Sequence, residues 1–140
     1  EKVVEHLKDL IDMYPSDPHI HKILYLIQFH YFKDIEAALV TMERTVKECP
    51  DYPHVYNLLG YAYMDLERWD EAEKTFDRYI QLSPNTANPY DSKGDYFMET
   101  KQYEKAYESY KKAVEIDPSF SEISKKKARK ARMMLDKSNA

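Results

Sequence analysis

The 140-residue chain contains two glycines, and they lie 34 residues apart. Gly60 sits in YNLLGYAYMDL and Gly94 in YDSKGDYFMET. The same offset relates Tyr56 to Tyr90, Tyr63 to Phe97, Trp69 to Tyr103, Ala72 to Ala106, Phe76 to Tyr110, Tyr79 to Ala113 and Pro84 to Pro118. A sustained period of this length signals a repeat architecture, in which one supersecondary unit stacks on copies of itself. Within a unit, Tyr56, Leu59, Gly60 and Tyr63 follow the spacing of one helix face, and so do Ala72, Phe76, Tyr79 and Ile80. ERWDEA and KQYEKA supply short connections, and Pro84 and Pro118 close the units. Each unit is therefore expected to be a hairpin of two antiparallel helices. Glycine inside a helix costs about 1 kcal/mol relative to alanine. Both glycines are thus expected where the first helix meets its neighbour most closely and a Cβ would push the backbones apart. Ala72 and Ala106 should serve the same closeness from the second helices.

These residues resemble the tetratricopeptide repeat, whose pattern runs W-x2-L-G-x2-Y, then A-x3-F-x2-A, then P. Residues 53–86 match it at Tyr56, Leu59, Gly60, Tyr63, Ala72, Phe76 and Pro84, with Tyr79 in place of the usual alanine. Residues 87–120 match at Tyr90, Gly94, Phe97, Ala106, Tyr110, Ala113 and Pro118, with Lys93 in place of the leucine. Residues 19–52 keep Ala38 and Pro50, but the glycine place holds Leu26, so this degenerate repeat should be the least regular hairpin. Residues 1–18 read as the second helix of an incomplete repeat, with Val3, Leu7, Leu10 and Ile11 on one face. Residues 121–137 read as a C-terminal capping helix with Ile123, Ala128, Ala131, Met134 and Leu135 as its apolar stripe. The resemblance implies an all-α fold, a right-handed α-solenoid of helical hairpins.

Composition excludes several classes. Charged residues make up 33% of the chain, and no apolar run reaches the length of a transmembrane helix. The single Cys49 permits no internal disulfide. Two glycines 34 residues apart cannot form a phosphate-binding loop, and CxxC, HExxH and GxSxG are absent. His19 and His21 would point in different directions on one helix, so no metal site, cofactor or catalytic residue is expected. The chain reads as a non-enzyme, and its compartment is not legible.

By the resemblance, the first helix of each unit lines a concave protein-binding groove. The first unit would contribute Ile20, Ile23, Ile27, His30 and Tyr31, and the second His54, Asn57, Tyr61, Met64 and Asp65. The third would contribute Asn88, Asp91, Asp95, Met98 and Glu99. Some family members clamp chaperone C-terminal carboxylates with Lys, Arg and Asn at these places. This chain has Ile23 and Asp91 where the cations belong, so a chaperone-tail receptor is not expected.

Charge is unevenly distributed. Residues 119–140 carry seven Lys/Arg against two Asp/Glu, a net of +5, which leaves −9 for residues 1–118. The acidic stripe Asp91, Asp95, Glu99 would suit a basic peptide. The matching places on the last helix suggest instead that Lys125, Arg129 and Arg132 neutralise it, so nucleic acid and membrane are not the expected partners of this basic helix. Ile20, Ile23 and Ile27 form an apolar row that an upstream repeat, a second copy or a partner segment would cover. The leading expectation is an interaction scaffold that binds a peptide or protein surface in its groove. The alternative is an appended repeat domain of a larger, secreted bacterial protein or enzyme, with a docking or oligomerisation role. NPYDSKGDYF raises that alternative through a short likeness to repeats that trail secreted bacterial hydrolases.

Overall fold

Pro18 and Pro53 each stand in the first turn of a helix, where a missing N–H costs nothing. Asp17 and Asp34 cap helices by accepting from the backbone N–H of His19 and Ala37, at 2.9 and 3.0 Å. The computed structural model describes residues 2–139, which form eight α-helices and no strand. They are α1 (Lys2–Met13), α2 (Pro18–Leu26), α3 (Ile35–Glu48), α4 (Pro53–Asp65), α5 (Trp69–Leu82), α6 (Ala87–Glu99), α7 (Tyr103–Ile116) and α8 (Ser121–Ser138). Successive pairs α2/α3, α4/α5 and α6/α7 pack as hairpins in an all-α solenoid, with α1 packed on α2 and α8 on α7. Among the described residues no helix is long and apolar enough to cross a membrane.

Each hairpin turns through a left-handed residue, and none of the three is glycine: Lys33, Glu67 and Lys101 have φ of 57°, 56° and 59°. Their spacing is again 34 residues. In the second and third hairpins the N–H groups of Arg68 and Gln102 close the turn on the carbonyls of Tyr63 and Phe97, both at 2.8 Å. This is the bond that satisfies the orphan carbonyls at a helix end. In the first hairpin the matching bond runs from Asp34 to Gln28, one residue longer, because α2 ends in a π-helical turn at Ile27–Tyr31.

The glycines explain that irregularity. A Cβ on Gly60 would lie 2.5 Å from Cε1 of Phe76, and one on Gly94 would lie 2.5 Å from Cε1 of Tyr110. The obstacle is the aromatic ring of the unit's own second helix, not a neighbouring backbone as the sequence suggested. Phe76 and Tyr110 are both fully buried. In the first hairpin the two corresponding places hold Leu26 and Met42. A flexible thioether replaces the rigid ring and leaves space for a side chain. The π-helical turn begins immediately after Leu26.

Other departures from the pattern are absorbed by polar contacts. Tyr79 fills the alanine place, is buried, and its hydroxyl accepts from the Asn88 amide at 2.9 Å. Lys93 fills the leucine place, and its ammonium reaches Asp77 at 3.0 Å and Glu73 at 3.4 Å across the rings of Tyr96 and Phe97. At the ends, two expected apolar positions are outside: Val3 is 60% exposed and Ile123 is 68% exposed. The inner face of α8 runs instead through Ser124, Lys127, Ala128 and Ala131.

Candidate functional site

The first helices α4 and α6 stand side by side, and α8 follows α6. Their exposed faces bound a cleft of about 590 Å³. The helical spacing of Tyr61, Met64 and Asp65 on α4, and of Asp95, Met98 and Glu99 on α6, brings all six expected groove residues into it. Trp69 and Tyr103, the first residues of α5 and α7, add aromatic walls. Lys130 and Met134 close the cleft from α8. None of these last four was singled out as a groove residue from the sequence. The 34-residue pairing of Trp69 with Tyr103 was visible, but their position at the mouth of the turn depends on the left-handed residues before them.

Asp95 forms the floor. Its carboxylate accepts from the hydroxyls of Tyr61 and Tyr110, each at 2.7 Å, and from the Lys127 ammonium at 2.9 Å. Burial, reinforced by the Asp95 carboxylate, pushes both tyrosine hydroxyls well above the usual range, so they remain donors. Burial alone would lower Lys127. The hydrogen bonds it donates to Asp91 and Asp95 outweigh that and hold it above the ordinary lysine range. Asp95 is thus an internal tie between α4, α6, α7 and α8.

Asp91 is not a groove residue. It is 6% exposed, and it accepts from Ser124 Oγ and Lys127 Nζ, both at 2.6 Å, beneath α8. The neutralising cation is therefore Lys127 rather than Lys125, Arg129 or Arg132. Lys125 and Arg132 pair instead with Glu122 and Asp136 on their own helix. The reason lies in the face that α8 turns inward. Ala128 stands 34 residues after Gly94, on the face that in α4 and α6 meets the following helix. In α8 that face turns onto α6 and α7. The family's groove positions therefore turn away from the groove. Glu99 keeps no ion pair among the described residues and stays exposed in the cleft, as does Asp65.

The remaining expected residues divide. Asn57 accepts from Ser92 at 2.8 Å and Asn88 donates to Tyr79, so both tie units together. His54 is exposed and lies against the Tyr52 ring, outside the cleft. His30 lines a smaller apolar cavity of about 170 Å³ between α2 and α4, which shares Tyr61 and Asp65 with the cleft. Ile23 and Tyr31 are exposed at 49% and 80%, while Ile20 and Ile27 are half-buried, so the apolar row is partly covered. His21 is buried, with its ring nitrogens 2.9 Å from the Pro15 carbonyl and 3.2 Å from the Thr45 hydroxyl. Among the described residues no three metal-ligating side chains converge.

Two family models described as tetratricopeptide repeat match residues 30–92 and 87–120. The chain belongs to the tetratricopeptide repeat family. Tetratricopeptide repeats are generally interaction modules without catalytic activity. No curated protein matches it in sequence. Among solved structures, the first repeat domain of Spaghetti (RPAP3) bound to the HSP90 peptide SRMEEVD matches with a TM-score of 0.76 at 18% identity. That match covers 85% of this chain and 93% of the other. MamA from Desulfovibrio magneticus RS-1 matches with a TM-score of 0.69 at 19% identity, over 97% of this chain and 81% of its own. The Sgt2 domain from Aspergillus fumigatus matches with 0.71 at 16% identity, over 79% and 74%. At these identities the likenesses establish the tetratricopeptide fold.

Proposed function

We propose that this chain is a non-catalytic interaction scaffold, and that the cleft between α4, α6 and α8 binds an extended protein segment carrying cationic side chains. The observation that carries the reading is a repeated triplet. Met64, Asp65 and Trp69 recur 34 residues later as Met98, Glu99 and Tyr103, and all six line one cleft. Each triplet offers a cation a carboxylate and an aromatic wall, and it offers the cation's methylene stem a thioether. Asp65 and Glu99 are unpaired among the described residues, so an incoming ammonium or guanidinium displaces no internal partner. Lys130, at the α8 end, favours a ligand carboxylate there and gives the bound segment a direction.

This chemistry differs from that of the acidic peptide seen with the RPAP3 domain. At the two places where a carboxylate clamp needs cations, this chain has Ile23 and a buried Asp91 already paired with Lys127. The test is fluorescence anisotropy with an Arg-containing peptide and a matched peptide with Arg replaced by Glu. The Arg peptide should bind, and Asp65→Lys or Glu99→Lys should each weaken it about tenfold. Both residues are exposed, so the melting temperature serves as the control for folding. Equal binding of the two peptides, or indifference to both substitutions, overturns the reading.

A further inference from the structure

The opposite side of α8 carries a second groove. A furrow of about 780 Å³ runs between α7 and α8. Its floor is apolar: Tyr107 and Val114 from α7, Ala128 and Met133 from α8. Met133 is 59% exposed in it. Its rim is basic, with Lys111 on one bank and Lys125, Arg129 and Arg132 on the other, against a single acid, Glu115. The lining residues recur at helical spacing on both banks, 107, 111, 114 and 115 facing 125, 128, 129, 132 and 133. Each bank thus spans nine residues, a rise of about 12 Å, which matches two turns of a third helix laid between them.

The rim cations hold weak local partners. Lys111 meets Glu108 at 3.9 Å, Lys125 meets Glu122 at 3.9 Å, and Arg132 meets Asp136 at 3.4 Å, all on exposed helix surface. Such pairs contribute little and exchange readily for a better-placed carboxylate. Arg129 has no ion pair among the described residues. The partners Glu108, Glu122 and Asp136 do not line the furrow, so its walls face an incoming chain with a net positive charge.

We propose that the furrow docks an acidic amphipathic helix of a partner protein, with apolar residues at i, i+4 and i+7 on the floor and Glu or Asp flanking them toward the rim. This site is separate from the cleft. Lys127 and Lys130 face the cleft, whereas Lys125, Arg129 and Arg132 face the furrow. The two surfaces therefore select opposite charges.

The test uses the 140-residue chain and two fluorescein-labelled stapled helical peptides with the same leucine stripe, one flanked by Glu and the other by Lys. The Glu peptide should bind and the Lys peptide should not. The double variant Arg129→Glu/Arg132→Glu should weaken the Glu peptide by tenfold or more, roughly the effect of reversing two contact charges. Lys126→Glu/Lys137→Glu, which makes the same charge change outside the furrow, should leave it nearly unchanged. All four residues are exposed, and unaltered melting curves identify folded variants. Equal loss in both double variants reduces the effect to net charge and overturns the proposal. Loss of the Glu peptide in Lys130→Glu rather than in the furrow variant places it in the cleft, which also overturns it. So does a concentration-dependent dimer that competes with the Glu peptide, because the occupant is then a second copy of the chain.

Discussion

Replacing Gly94 with alanine adds one carbon at the most crowded point of the third hairpin. That Cβ would stand 2.5 Å from Cε1 and 2.6 Å from Cδ1 of Tyr110, where carbon atoms rest at about 3.5–4.0 Å. The ring must move by about 1 Å, and it is not free to do so. It is 1% exposed, and its hydroxyl is tied to Asp95 at 2.7 Å. Overpacking of this kind costs about 1–3 kcal/mol. Breaking a hydrogen bond to a charged carboxylate adds about 1.5–3 kcal/mol. Alanine's better helix propensity returns about 1 kcal/mol. The net expectation is a loss of about 1.5–5 kcal/mol, or a melting temperature lower by roughly 5–15 °C. Urea and thermal unfolding followed by circular dichroism measure it. A double-mutant cycle isolates the cause: in a Tyr110→Phe background the tether is absent, and Gly94→Ala should cost less by the hydrogen-bond share, about 1.5–3 kcal/mol. Gly60→Ala meets Phe76, which has no hydroxyl, and should cost less than Gly94→Ala. A Gly94→Ala protein that melts with the parent, or strictly additive effects in the cycle, would refute the reasoning.

Three further outcomes follow from the same contacts. Lys127→Met keeps the stem but leaves Asp91 and Asp95 without their cation; because Lys127 is 30% exposed the cost should be about 1–3 kcal/mol, below that of a fully buried pair. Hydrogen exchange should show α8 losing protection before α4–α7, and unchanged α8 protection would contradict the tie that Lys127 makes between α6 and α8. Raised tyrosine pKa values make the fold alkali-sensitive: burial and Glu43 push Tyr63 up to about 12, and burial and Glu73 push Tyr96 up to about 12. Their contribution is complete below the unfolded value near 10 and is lost as pH rises from there through 12. Urea midpoints should therefore fall between pH 10 and 11.5, and Tyr63→Phe should flatten that fall. Finally, Lys101→Gly relieves a left-handed residue and should raise stability by about 0.5–1 kcal/mol, net of the greater freedom of the unfolded chain; a lower denaturation midpoint would count against strain at that turn.

Tyr61, Met64, Asp65, Asp95, Met98 and Glu99 were legible as one surface because the 34-residue period and the helical spacing both act along the chain. A residue's neighbours within a helix, and its counterpart in the next unit, follow from counting. Leu26 could be read as the weak point of the first hairpin for the same reason, although the π-helical turn that marks it could not. The misplaced residues depend on something counting does not reach. Asp91 lies under α8, and Lys127 rather than Lys125, Arg129 or Arg132 meets it, because α8 turns its seam onto α6 and α7. The sequence alone determined the hairpins, their period and the surface that α4 and α6 share, since those rest on local periodicity and on glycine's missing Cβ. Only the tertiary structure decided the rotation of α8, which carbon atoms the glycines make room for, and therefore which carboxylates are left unpaired. Those outcomes depend on how much apolar and charged surface each rotation of α8 would bury, a balance that no single segment contains.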